Sequence, residues 1–325
     1  MENIQQEPVK EVSSPSLETL LATETPEAKK KKKKKKKKLL TTGEVVVTEQ
    51  PATGLAALSN LQQRLIAGVI GGAGIIGAVY WNQYSFFFLF FGITLLSMKE
   101  FYTLLLTDDK NPNVWAGIVI GMSMFVLTFL IQIDYLNYKA FMFVSPIVCL
   151  LFIRELYINK KKPFNNVAFT VLGLLYVAIP FCMIIIAAFS RGAYSYQIVL
   201  GCLFLLWASD SGAYFAGRTL GKTKLFERIS PKKTWEGSIG GALLSLSVAF
   251  VLSHYYPILK LQDWIILSSI IVVVGSYGDL VESSFKRSLK LKDSGSLIPG
   301  HGGFLDRFDG LLLAAPFIAV YLKMF

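Results

Sequence analysis

Cysteine and histidine are scarce in this 325-residue chain, at three and two residues. Cys149, Cys182 and Cys202 each lie within an apolar stretch, and no two form a CxxC pair. A disulfide framework and a thiolate zinc site are therefore not indicated, and the cysteines read as small buried hydrophobes. His254 falls at an expected helix end and carries no assigned role. Charge is thin as well: 17% of residues are Asp, Glu, Lys or Arg, where a soluble domain carries about 25%. No apolar segment succeeds a short basic start, so the amino-terminal stretch is not expected to be a signal peptide.

Apolar sequence fills the rest. Hydrophobic residues make up 53% of the chain and the mean hydropathy is +0.49. Residues 1–60 differ from the remainder of the chain: they are rich in Ser, Thr, Glu and Pro and contain ten consecutive lysines, Lys29 to Lys38. This stretch is expected to be a disordered cytoplasmic tail, with a polytopic membrane domain over 61–325. The lysines either touch anionic lipid, at about 1 kcal/mol each, or are simply solvated.

Beyond the tail lie nine apolar runs, at 65–81, 84–98, 114–133, 139–156, 168–189, 196–215, 237–256, 264–285 and 308–325. Most approach the ~20 residues that a helix needs to cross the hydrocarbon core. The second is short and is expected to extend through Glu100 and Phe101. Backbone groups in lipid must pair internally, so the fold class is all-α integral membrane with about nine spans. With the lysine tail inside, the loops on that side hold 17 Lys or Arg and the opposite loops hold four: Lys139, Arg191, Lys260 and Lys323. The asymmetry predicts a cytoplasmic N-terminus and places every charge-rich loop on the cytoplasmic side. Part of the net charge of +11 is local to the lysine run; the rest lies in short loops and points to membrane orientation and phosphate-bearing substrates rather than to nucleic acid.

Two motifs mislead. Gly72 to Gly77 matches GxGxxG, but it lies inside the first apolar run with no strand before it. Gly68 and Gly72 are expected to serve small-residue helix packing instead. Gly217 to Thr223 resembles a P-loop with three residues between the glycines, where the pattern needs four. As a basic, glycine-punctuated turn it remains able to hold phosphates.

Ionisable residues inside apolar spans are costly and point to function. Asp210 ends one run, and Asp279 and Glu282 share a helix face at i,i+3 spacing. Pairing with a nearby cation, as a tie between helices, is the competing reading, above all for Glu282. Downstream come Lys286, Arg287, Lys292 and Asp293, then glycines around His301, including Gly302 and Gly303, that let backbone approach a ligand closely. Asp306, Arg307 and Asp309 open the last helix. Carboxylates interleaved with cations suit a metal-bound polyphosphate, the acids holding a hard cation such as Mg²⁺ and the bases meeting phosphate oxygens. A second basic loop contains Ser230, Lys232, Lys233 and Thr234, whose hydroxyls either donate to phosphate or cap the next helix.

The run SSFKRSLKLKDSGSLIPGHGGFLDRFD, from Ser283 to Asp309, resembles the C-terminal signature of phosphatidate cytidylyltransferases, also called CDP-diacylglycerol synthases. The segments WASDSGAYFAGR, ISPKKTWEGS and GSYGDLVESS resemble other blocks of that family, and the compact GDLVES block is similar to the bacterial form. The resemblance covers about residues 60 to 325. It implies cytidylyl transfer from CTP to phosphatidic acid, giving CDP-diacylglycerol and pyrophosphate at the cytoplasmic side of a plasma membrane. It also implies Mg²⁺, with a second, potassium-type cation associated, and a homodimer. Carried over residue by residue, Asp279 and Asp306 are the metal ligands. The catalytic set adds Lys286, Arg287, Lys292, Asp293, His301 and Asp309. Asp210, Ser230, Lys232, Lys233, Thr234, Gly302, Gly303 and Arg307 contact substrate. A CTP-dependent polyprenol kinase and a cation-coupled transporter are the rival readings. The transporter expects inverted repeats or paired broken helices, and neither is evident in the sequence.

Overall fold

The structure is a computed structural model. It describes residues 60–107, 111–158, 162–291, 294–295 and 303–325, with side chains from residue 68 onward. The tail over 1–59, Lys292, Asp293, His301 and Gly302 lie outside the described residues.

All nine apolar runs fall on helical rods. The first is α1 (Asn60–Trp81), succeeded by α2 (Gln83–Leu105) and α3 (Val114–Gln132). A 3₁₀ turn over Tyr138–Phe143 leads into α4 (Val144–Tyr157). The fifth rod joins α5 (Pro163–Gly173) to α6 (Ile179–Ala188) through a π turn at Leu174–Ala178. The sixth and seventh are α7 (Tyr196–Thr219) and α8 (Trp235–Tyr255). The eighth joins α9 (Leu261–Ile270) to α10 (Ser276–Ser288) through a π turn at Ile271–Gly275, and the last is α11 (Leu305–Met324).

Among the described residues, seven rods, from Gln83–Leu105 to Leu261–Ser288, are long and apolar enough to cross a membrane, against about nine expected. The first rod is described with its side chains over Gly68–Trp81, an apolar segment, and charged residues occupy the opening turns of the last. The extension of the second run through Glu100 and Phe101 is borne out by α2. Large apolar side chains such as Trp115, Leu156 and Phe250 are exposed along the rods, which suits a lipid solvent.

Several helix starts are capped by Asn, Ser or Thr side chains. The Asn82 side chain accepts from Tyr84 N and Ser85 N, and the Thr234 hydroxyl accepts from Gly237 N. The core is aromatic, with Phe90, Phe181 and Phe308 in mutual edge contact.

Two findings depart from expectation. The all-α description is interrupted by an antiparallel hairpin, β1 (Lys224–Phe226) with β2 (Ser230–Thr234). The packing expected at Gly68 and Gly72 is not formed among the described residues, since a Cβ at either would meet nothing within 4 Å.

Candidate active site

The site begins with helices that touch backbone to backbone. A Cβ on Gly212 of α7 would lie 2.6 Å from the Gly240 carbonyl of α8, and one on Gly241 would lie 2.6 Å from the Ser209 carbonyl. Likewise a Cβ on Gly278 of α10 would lie 2.6 Å from the Asp309 carbonyl of α11. Glycine at these positions lets the helices close to a distance that no side chain allows. Asp210 is thereby carried on a helix locked to α8, and Asp279 faces the N-terminal turns of α11. The π turn at Ile271–Gly275 re-phases the helix just before Asp279, a common placement for such turns at functional sites.

The hairpin supplies the cations. Lys224 pairs with Thr234 and Phe226 with Ser230, so Pro231, Lys232 and Lys233 stand opposite Leu225 alone. In a regular strand two successive lysines point to opposite faces. The bulge removes that alternation, and both Lys232 and Lys233 line the same space.

That space is a polar cavity of about 410 Å³. Eight of the residues expected from sequence line it: Asp210, Ser230, Lys232, Lys233, Thr234, Asp279, Asp306 and Asp309. Gly217, from the P-loop look-alike, lines it too, while Thr223 N donates to Glu236 outside it. Lys233 Nζ lies 2.6 Å from Asp279 Oδ2 and donates to the Ser276 carbonyl at 3.1 Å. Ser283 Oγ donates to Asp279 Oδ1 at 3.2 Å. Asp306 is the most heavily held acid: Lys286 Nζ donates to Oδ1 at 2.5 Å, and the backbone N–H groups of Ser294 and Gly303 each donate to Oδ2 at 3.0 Å. Asp309 accepts from Gly310 N at 2.7 Å.

Other expected residues sit differently. Lys286 does not line the cavity; it lies behind Asp306, with Glu282 Oε1 3.3 Å from its ammonium. Arg287 is exposed and donates to the Leu291 carbonyl, closing the end of α10. Arg307 is exposed and Gly303 is buried against Ser294 and Glu100; neither lines the cavity.

Sequence reasoning missed Glu100, which is buried and accepts from Leu305 N at 2.9 Å. Its signal was present: an ionisable residue within an apolar run. Ser209, Tyr214 and Ser276 also line the cavity, without any signal beyond their position in the motif blocks.

The donor set can be tested against a hard cation. Four aspartates around one cavity offer only oxygen, as Mg²⁺ requires, and this ion keeps waters and substrate phosphates as its remaining ligands. Among the described residues no cluster of three ligands is preassembled, and Asp279 and Asp306 are each paired with a lysine. The oxygen-only lining fits a hard cation, and among the described residues it forms no closed cage.

Comparison with known proteins identifies the family. Residues 62–325 match the cytidylyltransferase family. A phosphatidate cytidylyltransferase of Bacillus subtilis is 32% identical over 82% of this chain and 99% of the relative. Proteins of the same name from Haemophilus influenzae and Staphylococcus haemolyticus are 47% and 42% identical over shorter stretches, 38% and 50% of this chain and 45% and 62% of their own lengths. The chain belongs to the cytidylyltransferase family, an enzyme family, and the resemblance read from the Ser283–Asp309 signature is borne out.

Proposed function

We propose that this protein transfers the cytidylyl group of CTP to phosphatidic acid, giving CDP-diacylglycerol and pyrophosphate. The observation that carries the reading is one cavity lined by four aspartates and two lysines, in a chain that aligns with 99% of a phosphatidate cytidylyltransferase. A phosphate oxygen of the lipid attacks the α-phosphorus of CTP, a new P–O bond forms, and the bond to the β-phosphate oxygen breaks as pyrophosphate leaves. The lipid phosphate is already anionic near neutral pH, so no strong general base is needed.

The chain's contribution is position and charge. Lys232 and Lys233, bowed into the cavity by the bulge, neutralise phosphate oxygens of two reactants that otherwise repel. Ser230 lies beside them as a hydroxyl donor to phosphate. Asp279 and Asp306 would hold Mg²⁺, with Asp210 and Asp309 alongside. A cation held there would supply positive charge to offset the charge of the anionic reactants. Lys286, with the N–H groups of Ser294 and Gly303, holds Asp306 in one orientation, so that carboxylate does not have to be organised at the moment of reaction.

We place the cavity at the cytoplasmic face of the plasma membrane, with the N-terminus inside and the C-terminus outside. There the lipid headgroup and soluble CTP can meet. The test is an assay of the purified full-length protein in lipid vesicles containing phosphatidic acid, with CTP labelled at the α-phosphate. The expected result is labelled CDP-diacylglycerol together with pyrophosphate, dependent on Mg²⁺. Release of CDP with phosphorylated lipid would establish a kinase, and vesicle uptake without CTP consumption would establish a transporter; either outcome overturns the reading.

A further inference from the structure

Glu100 sits near the end of α2 with 5% of its surface exposed. Its Oε2 accepts the N–H of Leu305, 205 residues away. Its Oε1 has no hydrogen-bond partner among the described residues, and neither has Ser294 Oγ beside it. The two described ends of the signature loop close over this carboxyl group. A Cβ on Gly295 would lie 2.9 Å from Oε1, and one on Gly303 would lie 2.8 Å from Glu100 Cδ. Gly303 N and Ser294 N then turn to Asp306. The next residue of α2, Phe101, stacks on Phe285 at 5.2 Å and 15°, directly before Lys286. One turn of α2 thus grips both partners of the Lys286–Asp306 pair, Lys286 through the ring stack and Asp306 through the helix N-terminus.

A buried polar oxygen left without a partner costs about 1–3 kcal/mol. An apolar residue at position 100 would avoid that cost but would leave the Leu305 N–H unmet and the loop without its anchor. We propose that Glu100 is a positioning residue for the cavity: it fixes the first turn of α11, and with it the direction in which Asp306 points. Gly295 and Gly303 owe their lack of a side chain to this carboxyl group rather than to a ligand. The inference rests on the cytidylyltransferase reading for its activity measurement only.

The experiment compares wild type, Glu100→Ala and Glu100→Gln, because glutamine retains an oxygen acceptor for Leu305 N–H. The removal of a group that orients a metal ligand typically costs about 10- to 100-fold. In Glu100→Ala, kcat is expected to fall by that factor and the Mg²⁺ concentration for half-maximal activity to rise. Glu100→Gln is expected to stay within about threefold of wild type. Independently of activity, hydrogen exchange of the amides in 303–311 is expected to be at least about tenfold faster in Glu100→Ala and near wild type in Glu100→Gln. Unchanged Mg²⁺ half-saturation and unchanged exchange in Glu100→Ala overturn the proposal, as does a Glu100→Gln variant as impaired as Glu100→Ala. If wild type forms no cytidylyl product, the cytidylyltransferase reading fails, while the exchange comparison still decides this one.

Discussion

Two lysines hold two aspartates at this site, and burial separates their roles. Lys286 pairs with Asp306 and Glu282, whose side chains are 8% and 0% exposed. Lys233 pairs with Asp279, 39% exposed. Removing one partner from a buried pair strands a charge, at a cost of about 3–5 kcal/mol, whereas an exposed pair contributes about 1 kcal/mol or less. Lys286→Ala is therefore expected to lower the unfolding midpoint strongly and to abolish turnover. Lys233→Ala should leave the midpoint nearly unchanged yet lose about 100-fold in activity, because its ammonium meets phosphate only during reaction. Thermal unfolding in detergent, measured beside the CTP assay, separates the two; equal destabilisation by both variants would sink the distinction. Residue identity was legible for these groups because charge inside apolar sequence is conspicuous. What the sequence did not show is the division between Lys233 on the cavity and Lys286 behind it, since partner choice depends on where helices distant in sequence cross. Glu100 is visible as a charge in an apolar run, but its partner, Leu305, lies at the far end of the chain and is not.

At the scale of elements, the helices were legible and their interruptions were not. Long apolar runs signal rods plainly, and each run became one. The π turns at Leu174–Ala178 and Ile271–Gly275 carry no comparable signal, because a single extra residue in a helix alters packing rather than composition. In sequence the hairpin is only a basic loop; its bulge arises from pairing with Lys224 and Phe226, and pairing is not local. The α7–α8 seam links these elements to activity. Gly241 approaches the Ser209 carbonyl so closely that Gly241→Leu must push α7 away from α8. Asp210, one residue past Ser209, then moves relative to Thr234 and the lysines before it. The variant is expected to insert in the membrane, to unfold at a lower temperature, and to lose most turnover through a raised KM for CTP. A Gly241→Leu protein with wild-type KM would show that the seam does not set the cavity.

Side-chain contacts sort the helix ends into two groups across the whole molecule. On one side, Glu100 meets Leu305, Lys233 meets Asp279, and Asn113 and Asn166 both donate to the buried Glu155. On the other, Tyr194 donates to the Val79 carbonyl, Lys323 to the Phe189 carbonyl and Tyr321 to Asp263. The first group contains the hairpin and the signature loop, and with them most of the Lys and Arg residues between the spans. The proposed orientation turns the first group toward the cytoplasm, the side that the positive-inside bias favours. This orientation can be measured in a Cys149→Ala, Cys182→Ala, Cys202→Ala background by introducing one cysteine at a time. Lys224→Cys, on the hairpin, is expected to react with a membrane-impermeant maleimide only after bacterial cells are permeabilised. Gln262→Cys, beside Asp263 on the opposite group, is expected to react in intact cells. The reverse pattern would invert the molecule and remove CTP from the reach of the cavity, since the nucleotide is made and held inside the cell. Labelling of both positions from one side would instead break the sorting of helix ends on which the orientation depends.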